Sequence, residues 1–289
     1  MDFPSSSSSK DPDIARRFDE AFSLIRSDME SGRARELLEE NVVKGDAASM
    51  VLLGDILADG DDSARALDLF LKAADMGDSS GMRNAGYCYA VGKGCERDKM
   101  IGAMWYTRAA EAGNAAACCN IGVMYDYGNG VEKSLTLAVA WFRRGAEGGN
   151  RRSMTNLGEH CMTGEGLESR DLDAAEYWLL RSGSPRAMYR LAELCLDYPE
   201  KRDAAKGQEY LERSAEAKYP QALYRRGMQL EPDFLETAKQ MYAEAAAKGS
   251  KEARDRLVEM GVEPPESAME KRRKAKKRID SSASGRTAR

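Results

Sequence analysis

Apolar positions return along this chain on a fixed beat. Gly86, Gly122 and Gly158 stand thirty-six residues apart. Four positions before them come Met82, Cys118 and Met154, one before come Ala85, Ile121 and Leu157, and three after come Tyr89, Tyr125 and Cys161. Offsets of −4, −1, 0 and +3 lie on one face of an α-helix. Weaker copies of that face occur upstream (Met50, Leu53, Gly54, Leu57) and downstream (Met188, Leu191, Ala192, Cys195, then Leu223, Arg226, Gly227, Leu230). A second helical pattern follows each copy, with small residues flanking a large pair. Its central versions are "GAMWYTRAA" (102–110), "AVAWFRRGA" (138–146) and "AAEYWLLRS" (174–182). Seven such segments start at 34, 66, 102, 138, 174, 207 and 238. The small residues allow close helix approach, and the large pair is expected to fill the seam between one hairpin and the next. One hairpin alone has too little core, so the units must stack.

Between the two helices the chain reads "YAVGKGCERD", "YDYGNGVEKS" and "CMTGEGLESR". A phosphate-binding G-x-G-x-x-G needs a strand before it and a third glycine at a set spacing, and neither is present here. The first glycine suits a left-handed helix C-cap and the second a sharp turn.

The motifs "NAGYCYAVGKGC", "NIGVMYDYGNGV" and "NLGEHCMTGEGL", with "GAMWYTRAAEAGN" and "AVAWFRRGAEGGN" after them, resemble the Sel-1-like repeat family. The match is full over about 77–183 and degenerate over 33–76 and 184–260. The resemblance implies an all-α, right-handed, tetratricopeptide-like α-solenoid of about seven helix-turn-helix repeats. It implies a scaffold or adaptor for other proteins, with no catalytic residues, no cofactor and no small-molecule substrate. A cysteine-rich bacterial subgroup of the family is linked to β-lactam binding, so a β-lactam-hydrolysing enzyme is an alternative. That subgroup is secreted and carries a cysteine pair in every repeat, which this chain does not. The first unit has "LADGDDSARAL" in place of the glycine turn. The later turns use Pro199 and Pro232, as terminal repeats that trade signature for capping would.

The solenoid is expected over 13–261. It opens with a helix over 13–29 (Ile14, Phe18, Ala21, Phe22 and Ile25 on one face) and closes with one over 250–261, stopped by Gly261. The Ser- and Pro-rich segment 1–12 and the tail 262–289 read as disordered. Composition agrees with a helical chain that has a real core, at 42% apolar, 32% charged and 7% aromatic. No run of apolar residues is long enough to span a membrane. The N-terminus has no apolar signal region, so the expected location is cytoplasmic or nuclear, with reduced thiols. The net charge of −4 divides unevenly: residues 270–289 carry +7 and the rest −11. An acidic body disfavours nucleic acid as its partner.

Candidate chemistry is sparse. His160 has only Cys161 beside it, which matches no ligand spacing, so it is expected in the groove or on the surface. Cys118, Cys161 and Cys195 fall in apolar columns, and no C-x-x-C occurs among the six cysteines. Trp105, Trp141 and Trp178 read as core. One column carries a binding expectation: Asn84, Asn120, Asn156, Arg190 and Arg225, two positions before each anchor. Beside the core stripe of the first helix, it is expected to line the concave face. There side-chain amides can bond a partner's backbone, or equally their own helix or the next repeat. The run Lys271, Arg272, Arg273, Lys274, Lys276, Lys277 and Arg278 is a candidate electrostatic address for an anionic membrane or a nuclear-import receptor. An assembly or regulatory subunit addressed by that run is the second functional reading. A solvated tail resting on the acidic body is the bland one.

Overall fold

The computed structural model describes residues 9–27, 31–60, 62–271 and 274. Up to residue 261 they form fifteen α-helices and one 3-10 turn, and no strand occurs among the described residues. Two compact units are present, residues 1–170 and 171–289. The first holds α1 (Pro12–Arg26), α2 (Ser31–Val43), α3 (Ala47–Asp59), α4 (Ser63–Asp75), α5 (Ser79–Val91), α6 (Lys99–Glu111), α7 (Ala115–Tyr127), α8 (Leu135–Glu147) and α9 (Arg151–Thr163). The second holds α10 (Leu172–Ser182), α11 (Pro185–Asp197), η1 (Pro199–Lys201), α12 (Ala204–Glu216), α13 (Pro220–Leu230), α14 (Leu235–Ala247) and α15 (Lys251–Glu259). Helices α3, α5, α7, α9 and α13 carry the anchor glycine and α11 has Ala192 in its place; the odd-numbered helices are called A helices. Even-numbered helices carry the small–large–small pattern and are called B helices. All seven expected B segments lie within α2, α4, α6, α8, α10, α12 and α14.

Helix starts follow capping chemistry. Asp46, Asp78, Asn114 and Asn150 stand at the N-caps of α3, α5, α7 and α9 and accept from the amides of Ser49, Gly81, Ala117 and Ser153 at 2.8–2.9 Å. Each such cap stabilises its helix by about 1 kcal/mol.

The anchor glycines are sockets. A methyl placed on Gly86 would fall 2.8 Å from the Tyr106 ring, and one on Gly122 would fall 2.6 Å from Phe142. Gly54 faces Phe70 and Gly227 faces Tyr242 in the same way. The second large residue of a B helix thus plugs the A helix of its own hairpin. This corrects the expectation that the large pair fills the seam between hairpins. The first large residue is more open: Trp105 is buried with Arg108 stacked 4.4 Å from its ring centroid, and Trp141 is half-buried beneath Arg144.

The G-x-G turns do two jobs. Gly92, Gly128 and Gly164 cap α5, α7 and α9 with φ of 78°, 68° and 79°. The second glycines are also left-handed, and they press on the preceding hairpin. A methyl on Gly94, Gly130 or Gly166 would run into the carbonyl of Ser63, Lys99 or Leu135, the first residues of α4, α6 and α8. The second glycine is therefore an inter-repeat clasp as well as a turn.

The second unit joins its hairpins differently. η1 replaces the glycine turn after α11, and Lys201 Nζ reaches Asp173 Oδ1 (2.5 Å) and Glu176 Oε2 (2.7 Å) on α10. After α13, the Phe234 amide returns to the Leu230 carbonyl, and Glu231 accepts from the Tyr242 hydroxyl at 2.7 Å and pairs with Arg256 of α15. Beyond α15, Arg254 bonds the Pro265 carbonyl (3.3 Å) and Glu270 (2.9 Å), and buried Ser267 exchanges hydrogen bonds with Glu270.

Candidate functional site

Two positions before each anchor, the expected column splits by environment. Asn84 is buried, and its Nδ2 donates to Asp55 Oδ1 of the preceding A helix at 2.8 Å. Asn156 is half-buried with Nδ2 3.8 Å from Cys119 Sγ. In the second unit, Arg190 bonds Glu193 (2.6 Å) and lies 5.9 Å from the Tyr189 ring centroid. Arg225 grips Asp197 with both terminal nitrogens, at 2.7 and 2.8 Å. Burial, then Glu193, pushes the Tyr189 phenol up to about 12. Asn120 is set apart from these: it is half-buried and lines an open groove.

That groove, about 700 Å³, crosses the N-terminal ends of α5, α7 and α9. Its polar lining includes Arg83 from α5, Asn120 from α7, Arg151 and Arg152 from α9, and the capping residues Asn114 and Asn150. Among the described residues, no carboxylate lines it. Asn114 also ties two A helices, donating to the Ser79 carbonyl at 3.3 Å. Tyr87 is half exposed one helical turn beyond Arg83, and Tyr127 is exposed two turns beyond Asn120, so each lies on the same face of its helix. Sequence reading found Asn120 but missed the three arginines. The available signal was "NRRS" at 150–153, where two cations follow an N-cap.

Of the basic run, only Lys271 and Lys274 lie within the described residues. Lys271 is exposed, and Lys274 is exposed and pairs with Glu266. Arg272, Arg273, Lys276, Lys277 and Arg278 lie outside the described residues.

His160 is buried, contrary to the groove or surface expectation. The position two after the anchor is a core column, shared with buried Cys88 and Met124. The imidazole packs 5.6 Å from the Phe142 ring, its Nδ1–H donates to the Glu165 carbonyl at 2.8 Å, and Nε2 lies 3.7 Å from Asp126. All six cysteines are free thiols, five buried and Cys95 half-buried. Burial, with Cys95 adding, pushes the Cys88 thiol up to about 11, and burial raises Cys118 and Cys195 as well. Such thiols are poor nucleophiles. Among the described residues, no group of three or more His, Cys, Asp or Glu side chains is arranged to hold a metal ion. No described helix is long and apolar enough to cross a membrane.

The model for the Sel1 repeat matches residues 47–78, 79–114, 115–150, 151–184, 185–219 and 222–250, well over half of the chain. The chain belongs to the Sel1 repeat family. Members of this family generally mediate protein–protein contacts and are typically non-catalytic. No curated protein matches this Sel1 repeat chain. Among solved structures, a Sel1 repeat protein from Oxalobacter formigenes superposes with a TM-score of 0.71 at 22% identity, over 79% of this chain and 98% of its own. A protective antigen of uropathogenic Escherichia coli strains, displaying an SLR fold, gives a TM-score of 0.67 at 23% identity over 84% of this chain. This chain spans 56% of that antigen's length. An immunity protein from Pseudomonas aeruginosa gives 0.50 at 20% identity, over 70% of this chain and 80% of its own. At these identities the likeness is one of fold.

Proposed function

We propose that this Sel1 repeat protein is a non-catalytic adaptor that holds another protein on the A-helix face of its first unit, with Asn120 the residue of the expected column that meets it. The observation that supports this reading is the groove across α5, α7 and α9, with Asn120 inside it. Asn120 offers one acceptor and two donors, which suits the backbone of an extended segment. The surrounding polar lining fixes orientation, and Tyr87 and Tyr127 offer aromatic surface of the kind that anchors interfaces. The basic run 271–278 is, in this proposal, a separable address. Its replacement by glutamines is expected to change the cellular distribution of a fluorescent fusion while partner capture by the groove survives.

Affinity capture with the tagged full chain tests the adaptor reading. Ala116 lines the groove, and Ala116→Trp fills it without altering any charge. Partners recovered with the wild-type chain should be lost with Ala116→Trp and kept with Arg143→Ala, an exposed change on B helix α8. Recovery of the same partners by a folded Ala116→Trp chain would contradict the reading.

A further inference from the structure

The groove's charge is anomalous for this molecule. Outside residues 270–289 the chain carries a net −11, yet the groove gathers Arg83, Arg151 and Arg152 and, among the described residues, no acid. Two of these cations occupy the first turn of α9, where no acidic residue stands. A helix N-terminus carries about half a positive charge, so cations there are disfavoured and anions favoured. Asn150 spends its side chain on the Ser153 amide and Asn114 on the Ala117 amide. The first amides of α7 and α9 have no intrahelical acceptor by the geometry of any α-helix.

Arg83 and Arg152 line the same groove from α5 and α9. Among the described residues, no carboxylate forms an ion pair with Arg83 or Arg152. The Arg83 Nε is buried and has no hydrogen-bond partner. Arg83 as a whole is half-buried and lines the groove, so an acceptor that arrives from outside reaches the part of its side chain that faces solvent.

We infer that this groove binds an extended acidic peptide segment through its carboxylates, set between Arg83 on one side and Arg152 with the α9 N-terminus on the other. This deepens the adaptor reading and rests on it, since it names the chemistry of the partner segment. Guanidinium forks match carboxylate and phosphate oxygens in two-point hydrogen bonds. Helix N-termini accept the same groups. Tyr87 and Tyr127, flanking the polar zone on the same helix faces, would take apolar side chains of the segment.

Three fluorescein-labelled nonapeptides on the full chain test this: one with four Glu residues among Ser, Gly and two Leu, one with Gln in place of each Glu, and one with two phosphoserines and no Glu. The Glu peptide should bind saturably by anisotropy, more weakly as salt rises, and at least about tenfold more tightly than the Gln peptide. Saturable binding of the phosphoserine peptide with none of the Glu peptide would make phosphate the ligand and overturn the inference. Arg83→Gln and Arg152→Gln should each weaken binding about tenfold, as loss of a charge-assisted contact does. Arg152→Glu guards against a trivial loss by unfolding. It places an acid in the first turn of α9, so its Tm should equal or exceed that of the wild type while oxyanion binding disappears.

Equal binding of the Glu and Gln peptides, or wild-type affinity in the Arg83→Gln, Arg152→Gln double variant, overturns the inference. If Ala116→Trp still abolishes binding in that case, the adaptor reading stands without it. Absence of saturable binding by the Glu peptide overturns it too. The capture experiment then decides the adaptor reading by itself.

Discussion

The hairpin turns of residues 1–170 and those of residues 171–289 solve one problem with different chemistry. In the first unit Gly94, Gly130 and Gly166 bring bare backbone against the opening residue of the preceding B helix. In the second, η1 sits where the glycine turn would be, and Lys201 spans the gap to α10 with a side chain. A backbone clasp has one geometry, leaves no space for a Cβ and is indifferent to salt. An ion-pair tether tolerates sequence drift, costs side-chain entropy and is screened. The same fold thus keeps its family signature where close approach requires glycine, and loses it where charge substitutes.

The largest effect expected from this contrast is at Gly130. Gly130→Ala puts an L residue at φ 78° and drives its Cβ into the Lys99 carbonyl. The left-handed backbone and the overpacking together should cost about 2–4 kcal/mol, read as a lower denaturation midpoint at every salt concentration. A change below about 0.5 kcal/mol, within the range of an ordinary surface substitution, would mean that the clasp is not tight.

A smaller effect belongs to the ion-pair tether. Lys201→Gln should cost about 0.5 kcal/mol at low ionic strength, given how exposed Asp173 is, and almost nothing in molar salt. Hydrogen bonds donated to Asp173 and then to Glu176 raise the Lys201 pKa. A raised ammonium pKa contributes stability that is complete below its unfolded value, about 10.4, and is lost as pH rises through the folded one. The wild-type and Lys201→Gln curves should therefore differ across neutral pH and converge in strong alkali. A salt-independent difference would place the tether's value in packing rather than charge.

The smallest effect sharpens the comparison at the loops between hairpins. Gly113 and Gly149 in the first unit and Gly249 in the second carry left-handed φ values after their B helices, whereas Lys218 adopts φ 61° at the matching place after α12. Lys218→Gly removes that strain and gives up an exposed pair with Glu244. A net gain of about 0.5 kcal/mol by chemical denaturation is expected. A loss would show that the Glu244 pair outweighs the backbone term.

Much of the fold was legible because its determinants are local and periodic. The columns at −4, −1 and +3 from the anchor, the seven B segments and the first-glycine caps each follow from spacing within one hairpin. What spacing does not carry is which seam a side chain enters. Tyr106 plugs Gly86 of its own hairpin, and Gly94 touches Ser63 of the hairpin before; both are contacts between helices. His160 escaped because the position two after the anchor is recognisable as core only once Cys88 and Met124 are seen buried beside it. Of the binding column, Asn120 lies in the groove while Asn84 turns to Asp55, a choice decided by whether an acceptor happens to face it on the preceding helix. The arginines of the groove come from positions 83, 151 and 152, too far apart in sequence for a motif to join them.

The adaptor account is tested most directly by a photo-crosslinking amino acid placed in the full chain within its source cells, at position 120 in the groove or at position 143 on B helix α8. The account predicts a discrete crosslinked protein from position 120, suppressed when Ala116→Trp is added, and no matching product from position 143. The same product from both positions, or a position-120 product that survives Ala116→Trp in a folded chain, would contradict it.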